Sequence, residues 1–279
     1  MPDRTGFDAA YARALAALPV PVETLDIPGE HGTTRVYAAG PATAPPLVLL
    51  AGDGATALAW GGVLGALAGR YRAYAVDTLG DVGRGTTAVP PADQGDLVGW
   101  LDELCAALKL GAATWCGHSY GGWLALSLAL HAPHRVDRLM LLDPTQCFAG
   151  LAPRYMLRAA PLMLAPSPAR AAAFLDWELH GTAVDPAWRA VYVAGAGLRP
   201  TRPVLPRRPD PQRLAGCTTP TLVLLAEHSR AHRLARVRAG AAALPRLTVE
   251  VLAGATHHSI PTGHVAPITE WLVEAGLSW

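Results

Sequence analysis

From Ala113 the chain passes out of a short apolar run into Gly117-His118-Ser119-Tyr120-Gly121-Gly122, and then directly into a longer apolar run ending near His131. The first run suits a buried strand and the second a buried helix. Only the glycine segment separates them, so the backbone must reverse in a very tight turn. A Cβ on either flanking glycine would collide across that turn, and the central serine must sit in a strained conformation with its hydroxyl projecting outward. A strand, a turn and a helix in this order predict a nucleophile elbow with Ser119 at its tip. The plain alternative is a glycine-rich connection carrying an incidental serine.

The same alternation extends along the chain. Apolar runs at 22–27, 33–38, 47–51, 71–76, 113–116, 138–142, 221–226 and 247–252 predict strands. Helical periodicity falls at about 57–69, 93–109, 120–131, 231–243 and 263–276. The first two strands are joined by Pro28-Gly29-Glu30-His31-Gly32, a turn-forming cluster that suits a hairpin. From residue 47 onward the strands are almost continuously apolar, as expected when helices cover both faces of a parallel sheet.

The alternation breaks between Pro144 and Pro220, which holds 12 of the 25 prolines. Its periodic stretches, roughly 150–165, 168–180 and 186–197, are helical in pattern. Placed between two strands, such a segment predicts a lid over the carboxyl edge of the sheet, where open α/β folds bind ligands. The domain reading is a core of 1–143 and 221–279 with a helical cap at 144–220; the alternative is a decorative excursion.

Composition narrows the function classes. In 279 residues, 51% are hydrophobic, and Lys+Arg 23 against Asp+Glu 22 leaves a net charge of +1. There is no basic excess to neutralise phosphates, so nucleic acid is not an expected partner. No apolar stretch approaches the ~20 residues that span a bilayer, and no signal pattern opens the chain, so a cytoplasmic location without membrane attachment is expected. Cys105, Cys116, Cys147 and Cys217 lack paired spacing and are expected to be reduced packing residues. No cluster has metal-ligand spacing, and neither a metal nor a cofactor is expected.

A serine hydroxyl needs a base to become nucleophilic. After the last strand comes Gly254-Ala255-Thr256-His257-His258-Ser259, a loop at a carboxyl strand end. His257 is taken as the base, with His258 the neighbouring alternative; His228 and His232 follow the preceding strand.

Four segments together, Gly117-His118-Ser119-Tyr120-Gly121, Gly254-Ala255-Thr256-His257, Leu49-Leu50-Ala51-Gly52-Asp53-Gly54 and Asp77-Thr78-Leu79-Gly80-Asp81-Val82-Gly83-Arg84, resemble the α/β-hydrolase fold serine hydrolases, and among them bacterial carboxylesterase-like members. The likeness runs from about Val22 to the C-terminus and is weakest across 144–220. It implies an eight-stranded, mostly parallel sheet with helices on both faces, an antiparallel second strand and a cap after strand six. It also implies an oxyanion hole made by the backbone N–H groups of Tyr120 and Asp53, with Gly54 the alternative second donor, although Ala51-Gly52 stands where members usually carry His-Gly. Asp77 is implied to be a structural anchor.

The acid departs from the pattern. Relatives place an aspartate after strand seven, where this chain reads Glu227-His228-Ser229. Asp143, at the end of strand six, is taken as the replacement; Glu227 and the absence of any acid are the alternatives. The candidate catalytic residues are therefore Ser119, His257 and Asp143. Trp60, Met156 and Trp177 are the expected substrate contacts, and Arg154, Arg158 and Arg199 are cations that could meet a carboxylate. The expected activity is cleavage of a carboxylic ester, or a related acyl bond, of a small, largely apolar molecule through an acyl-enzyme. A thioesterase or acyltransferase would use the same serine, and a ligand-binding, non-hydrolytic protein is the alternative if the triad is degraded.

Overall fold

A computed structural model describes residues 3–198 and 203–277. Each of the eight apolar runs forms a strand, and a ninth is added. The strands are β1 (Glu23–Gly29), β2 (Gly32–Ala39), β3 (Pro46–Leu50), β4 (Arg72–Val76), β5 (Thr86–Thr87), β6 (Ala113–His118), β7 (Val136–Leu142), β8 (Thr221–Ala226) and β9 (Leu247–Leu252). They join in one sheet of order β1-β2-β4-β3-β6-β7-β8-β9, with β5 attached to β2. β2 runs antiparallel to β1, β4 and β5, whereas every pair from β4 to β9 is parallel. The extra strand is two exposed threonines, too short and too polar to leave an apolar pattern.

Parallel strands buried on both faces need apolar side chains at successive positions. In β3, Leu47 and Leu49 enter one apolar layer while Val48 and Leu50 enter the other. β8 repeats this, with Leu222 and Leu224 on one side and Val223 and Leu225 on the other. Each such leucine contributes roughly 1.5–3 kcal/mol by leaving water. All four cysteines are free and buried. No helix among the described residues is long and apolar enough to cross a membrane.

A helix at Thr5–Ala16 precedes the sheet and buries Phe7, Ala10, Tyr11 and Ala14, one stripe at helical spacing. The Tyr11 hydroxyl donates to Asp77 at 2.8 Å, and the same carboxylate accepts from the N–H groups of Ala57 and Arg84. Asp77 therefore ties three segments together in the interior, in keeping with a structural anchor.

Between β7 and β8 the chain forms helices at Pro153–Leu164, Pro168–Leu179, Pro186–Gly195 and Pro211–Ala215, each opening on a proline at its first turn. Proline lacks an N–H that would be unsatisfied there in any case, which is why this proline-rich segment is still helical. Its first three helices share an apolar cluster that includes Leu162, Phe174, Leu175, Trp188 and Tyr192.

Candidate active site

The turn after β6 has the geometry its glycines require. Ser119 stands at φ 53°, ψ −113°, immediately before the helix Tyr120–His131. A non-glycine residue held there costs on the order of 1–3 kcal/mol. A Cβ on Gly117 would run into the carbonyl of Gly121, and one on Gly121 into the carbonyl of Leu50. The strained residue is held from both sides: Ser119 N–H donates to Leu142 O at 3.0 Å, and Trp123 N–H donates to Ser119 O at 3.2 Å.

β6 and β7 are parallel neighbours, so their carboxyl ends bring Ser119 and Asp143 to the same edge. The loop after β9 supplies His257. Its Nε2 lies 2.9 Å from Ser119 Oγ, and its Nδ1 lies 2.6 Å from Asp143 Oδ2. Asp143 offers only acceptors when ionised, so Nδ1 carries the proton and Nε2 faces the serine as a base. All three residues are buried.

Burial alone would raise the Asp143 pKa, but the imidazoles of His232 first and His257 second, acting electrostatically and by hydrogen bonds, hold it well below the usual carboxylate range. Burial would likewise discharge His257, yet the hydrogen bond and charge of Asp143, aided by the charge of Glu178, raise its pKa above the ordinary histidine value. The carboxylate thus stays ionised while the imidazole gains affinity for a proton.

The alternatives for acid and base take other places. Glu227 is exposed and accepts the Gly254 N–H at 2.8 Å, bracing the surface of the histidine loop. His258 turns from the serine and bonds through Nδ1 to Glu178 at 2.9 Å. Ser229, where an aspartate was expected, donates to Asp143 Oδ2 at 2.6 Å.

Two residues that sequence reasoning missed hold the histidine loop. Glu178, fully buried on the helix Pro168–Leu179, accepts the N–H of His257 at 2.8 Å and that of His258 at 3.1 Å. It stands in the buried stripe of Ala171, Phe174 and Leu175, so an acid at an apolar helical position was the available signal. Burial opposes its ionisation, but His258 and the backbone donors leave its pKa lowered. His118 bonds through Nε2 to the carbonyl of His257 at 2.8 Å; burial foremost, and the neighbouring imidazoles, drive its pKa well down. A neutral His118 therefore donates to the backbone carbonyl of His257.

A cavity of about 820 Å³ opens over Ser119 and His257. Tyr155, Met156, Ala159, Leu162 and Phe174 line it from the 144–220 segment; Asp53 and Tyr120 line it near the serine. Met156 therefore stands where a substrate contact was expected. Trp60 does not: it closes the one-turn helix Ala57–Trp60 and is fully buried in the apolar layer that contains Leu47 and Leu49, while its neighbour Ala59 reaches the cavity. Trp177 is corrected too, because it packs beside Tyr155 and Phe174 rather than facing the cavity. Arg154 is exposed, Arg158 lies 5.7 Å over the Trp177 ring, and neither lines the cavity. Arg199 lies outside the described residues.

The chain is similar to known proteins along most of its length. The carboxylesterase YbfK of Bacillus subtilis (strain 168) is 27% identical over 261 residues, covering 90% of this chain and 87% of that protein. A second protein of the same strain, an uncharacterized carboxylesterase named nap, is 27% identical over 262 residues, covering 88% of this chain and 84% of its own. The crystal structure of naproxen esterase (carboxylesterase NP) from Bacillus subtilis superposes with a TM-score of 0.89 at 25% identity over 96% of each chain. Residues 47–269 match the model of the Alpha/beta hydrolase family, and the chain belongs to that family.

Proposed function

We propose that this protein is a serine carboxylesterase in which Ser119 is the nucleophile, His257 the general base and Asp143 the acid that orients and charges the base. The observation carrying this reading is the unbroken relay from Ser119 Oγ through His257 to Asp143, at 2.9 and 2.6 Å. His257 Nε2 takes the hydroxyl proton as Ser119 Oγ attacks the acyl carbonyl. Asp143 remains ionised and stabilises the imidazolium that forms. His257 then returns the proton to the departing alcohol. Water, deprotonated by the same imidazole, hydrolyses the acyl-enzyme and regenerates Ser119.

The N–H of Tyr120 opens the helix after the elbow, where the first backbone donors have no partner within the helix. With the N–H of Asp53 it forms the oxyanion hole, and losing one such donor typically costs ~10²–10³ in rate. Residues 144–220 act as a cap that roofs the reaction. A largely apolar lining, with Arg207 and Arg208 among its polar members, and a volume in the upper range for small-molecule sites, roughly 300–1,000 Å³, favour an ester with a bulky, largely apolar acyl or alcohol part. Relatives named as carboxylesterases along nearly their whole length support ester cleavage over thioester cleavage or acyl transfer.

A fluorophosphonate probe and a short nitrophenyl ester test the reading. Labelling and hydrolysis by the wild type, both lost in Ser119→Ala, are expected. A wild type that neither labels nor turns over would leave the non-hydrolytic, ligand-binding reading in possession.

A further inference from the structure

The loop after β8 lacks the expected acid, yet two of its side chains and the last N–H of β8 converge on Asp143. Ala226 N–H donates to Oδ1 at 3.1 Å, His232 Nε2 lies 2.9 Å from Oδ1, and Ser229 Oγ donates to Oδ2 at 2.6 Å. With His257 on Oδ2, the carboxylate has donors on both oxygens and lies between two imidazoles. His232 is 4% exposed, its Nδ1 is buried without a hydrogen-bond partner, and its ring centre lies 6.5 Å from that of His257. Among the described residues its side chain has one hydrogen bond, that to Asp143, and since the carboxylate can only accept, the proton lies on Nε2. A buried imidazole with one face unsatisfied is costly to keep for packing alone.

We propose that His232 and Ser229 are positioning residues: they fix the plane of the relocated Asp143 carboxylate and withdraw charge from it, setting the proton affinity of the Asp143–His257 pair. The inference rests on the proposed esterase reading. Asp143 takes a left-handed backbone conformation, φ 43°, just past the end of β7, which non-glycine residues adopt only uncommonly. Clamping Oδ1 by His232 leaves Oδ2 directed at His257 Nδ1. The other titratable groups facing this pair are Glu178, His118, His258 and Tyr155 around His257, of which His118 and Tyr155 also act on Asp143.

The test compares His232→Gln with His232→Asn. The glutamine amide nitrogen reaches the place of Nε2, whereas the asparagine amide falls one methylene short. With a nitrophenyl ester, His232→Asn should lower kcat by ~10–100-fold, the rate equivalent of losing one hydrogen bond to a charged group, with KM little changed. The acid limb of its kcat/KM profile should move to higher pH, because a carboxylate stripped of a donor binds protons more readily. His232→Gln should stay within about fivefold of wild type with the limb in place. Ser229→Ala should move the limb in the same direction and serves if neither His232 variant folds. Equal kcat and unmoved limbs in the Gln, Asn and Ala variants overturn the clamp while leaving the esterase intact. A wild type that neither hydrolyses ester nor labels at Ser119 instead overturns the reading beneath it.

Discussion

Glu178 holds the backbone of His257 from the segment inserted between β7 and β8: its Oε1 accepts the histidine N–H at 2.8 Å, and its Oε2 accepts from both N–H and Nδ1 of His258. Its charge also raises the proton affinity of His257. Glu178→Gln should lower kcat by ~10–100-fold, in the range for outer-layer partners. It should move the acid limb of kcat/KM to lower pH, since a negative charge beside the imidazole has gone. A loss of thermal stability with an unmoved limb would reduce Glu178 to a packing role.

Asp143 and Glu227 separate cleanly by substitution. Asp143→Asn removes the charge and offers His257 the wrong hydrogen-bond partner, so turnover should drop ~10³–10⁴-fold, as for loss of the acid in a serine triad. Far-UV circular dichroism should show a folded protein. Glu227→Gln keeps an acceptor for Gly254 at the surface and should change kcat less than about threefold, within the range of ordinary surface substitutions. The opposite ranking would overturn the acid assignment.

The pH profile of the wild type follows from the raised pKa of His257. The base works only when neutral, so kcat/KM should climb with rising pH through an apparent value above the ~6.5 of an unperturbed histidine. That value belongs to the coupled His257–Asp143 pair. Initial rates at saturating buffer capacity, corrected for spontaneous ester hydrolysis, give the limb; an inflection below the ordinary histidine value would contradict the ionised acid.

Gly121→Ala tests the elbow itself. The added methyl would meet the carbonyls of Leu50 and Ala51, both main-chain atoms that cannot swing aside. Overpacking of this sort costs typically about 1–3 kcal/mol. A lowered melting midpoint together with loss of fluorophosphonate labelling is expected, and an unchanged midpoint would show that β3 and the elbow lie farther apart.

The main strands and their layers were legible because strands buried on both faces must be apolar at every position, a pattern that short surface elements do not share. The elbow was legible for a related reason: its glycines answer to backbone collisions within a few residues of chain. The N-terminal helix Thr5–Ala16 was overlooked although Phe7, Ala10, Tyr11 and Ala14 form a stripe, because alanine-rich sequence dilutes the contrast between faces. Glu178 and His118 act through contacts with the histidine loop across 79 and 139 residues, distances at which spacing carries no information. Trp60 misled because an aromatic near a cavity loop can point either way, and here the turn Ala57–Trp60 sends it into the interior. Asp143 was chosen as the candidate acid because relatives of this fold can carry one at that strand end, whereas the donors gathered around it became visible only with the β8 loop folded back over the sheet edge.

The carboxylate at position 178 also constrains how this enzyme could be redesigned. Grafting the corresponding segment of another hydrolase between Asp143 and Thr221, the natural way to admit different esters, would remove the brace beneath His257, the proposed base, along with the old pocket walls. A chimera that keeps an acid at the matching helical position should retain its turnover, and substrate range would then be reshaped without dismantling the machinery under it.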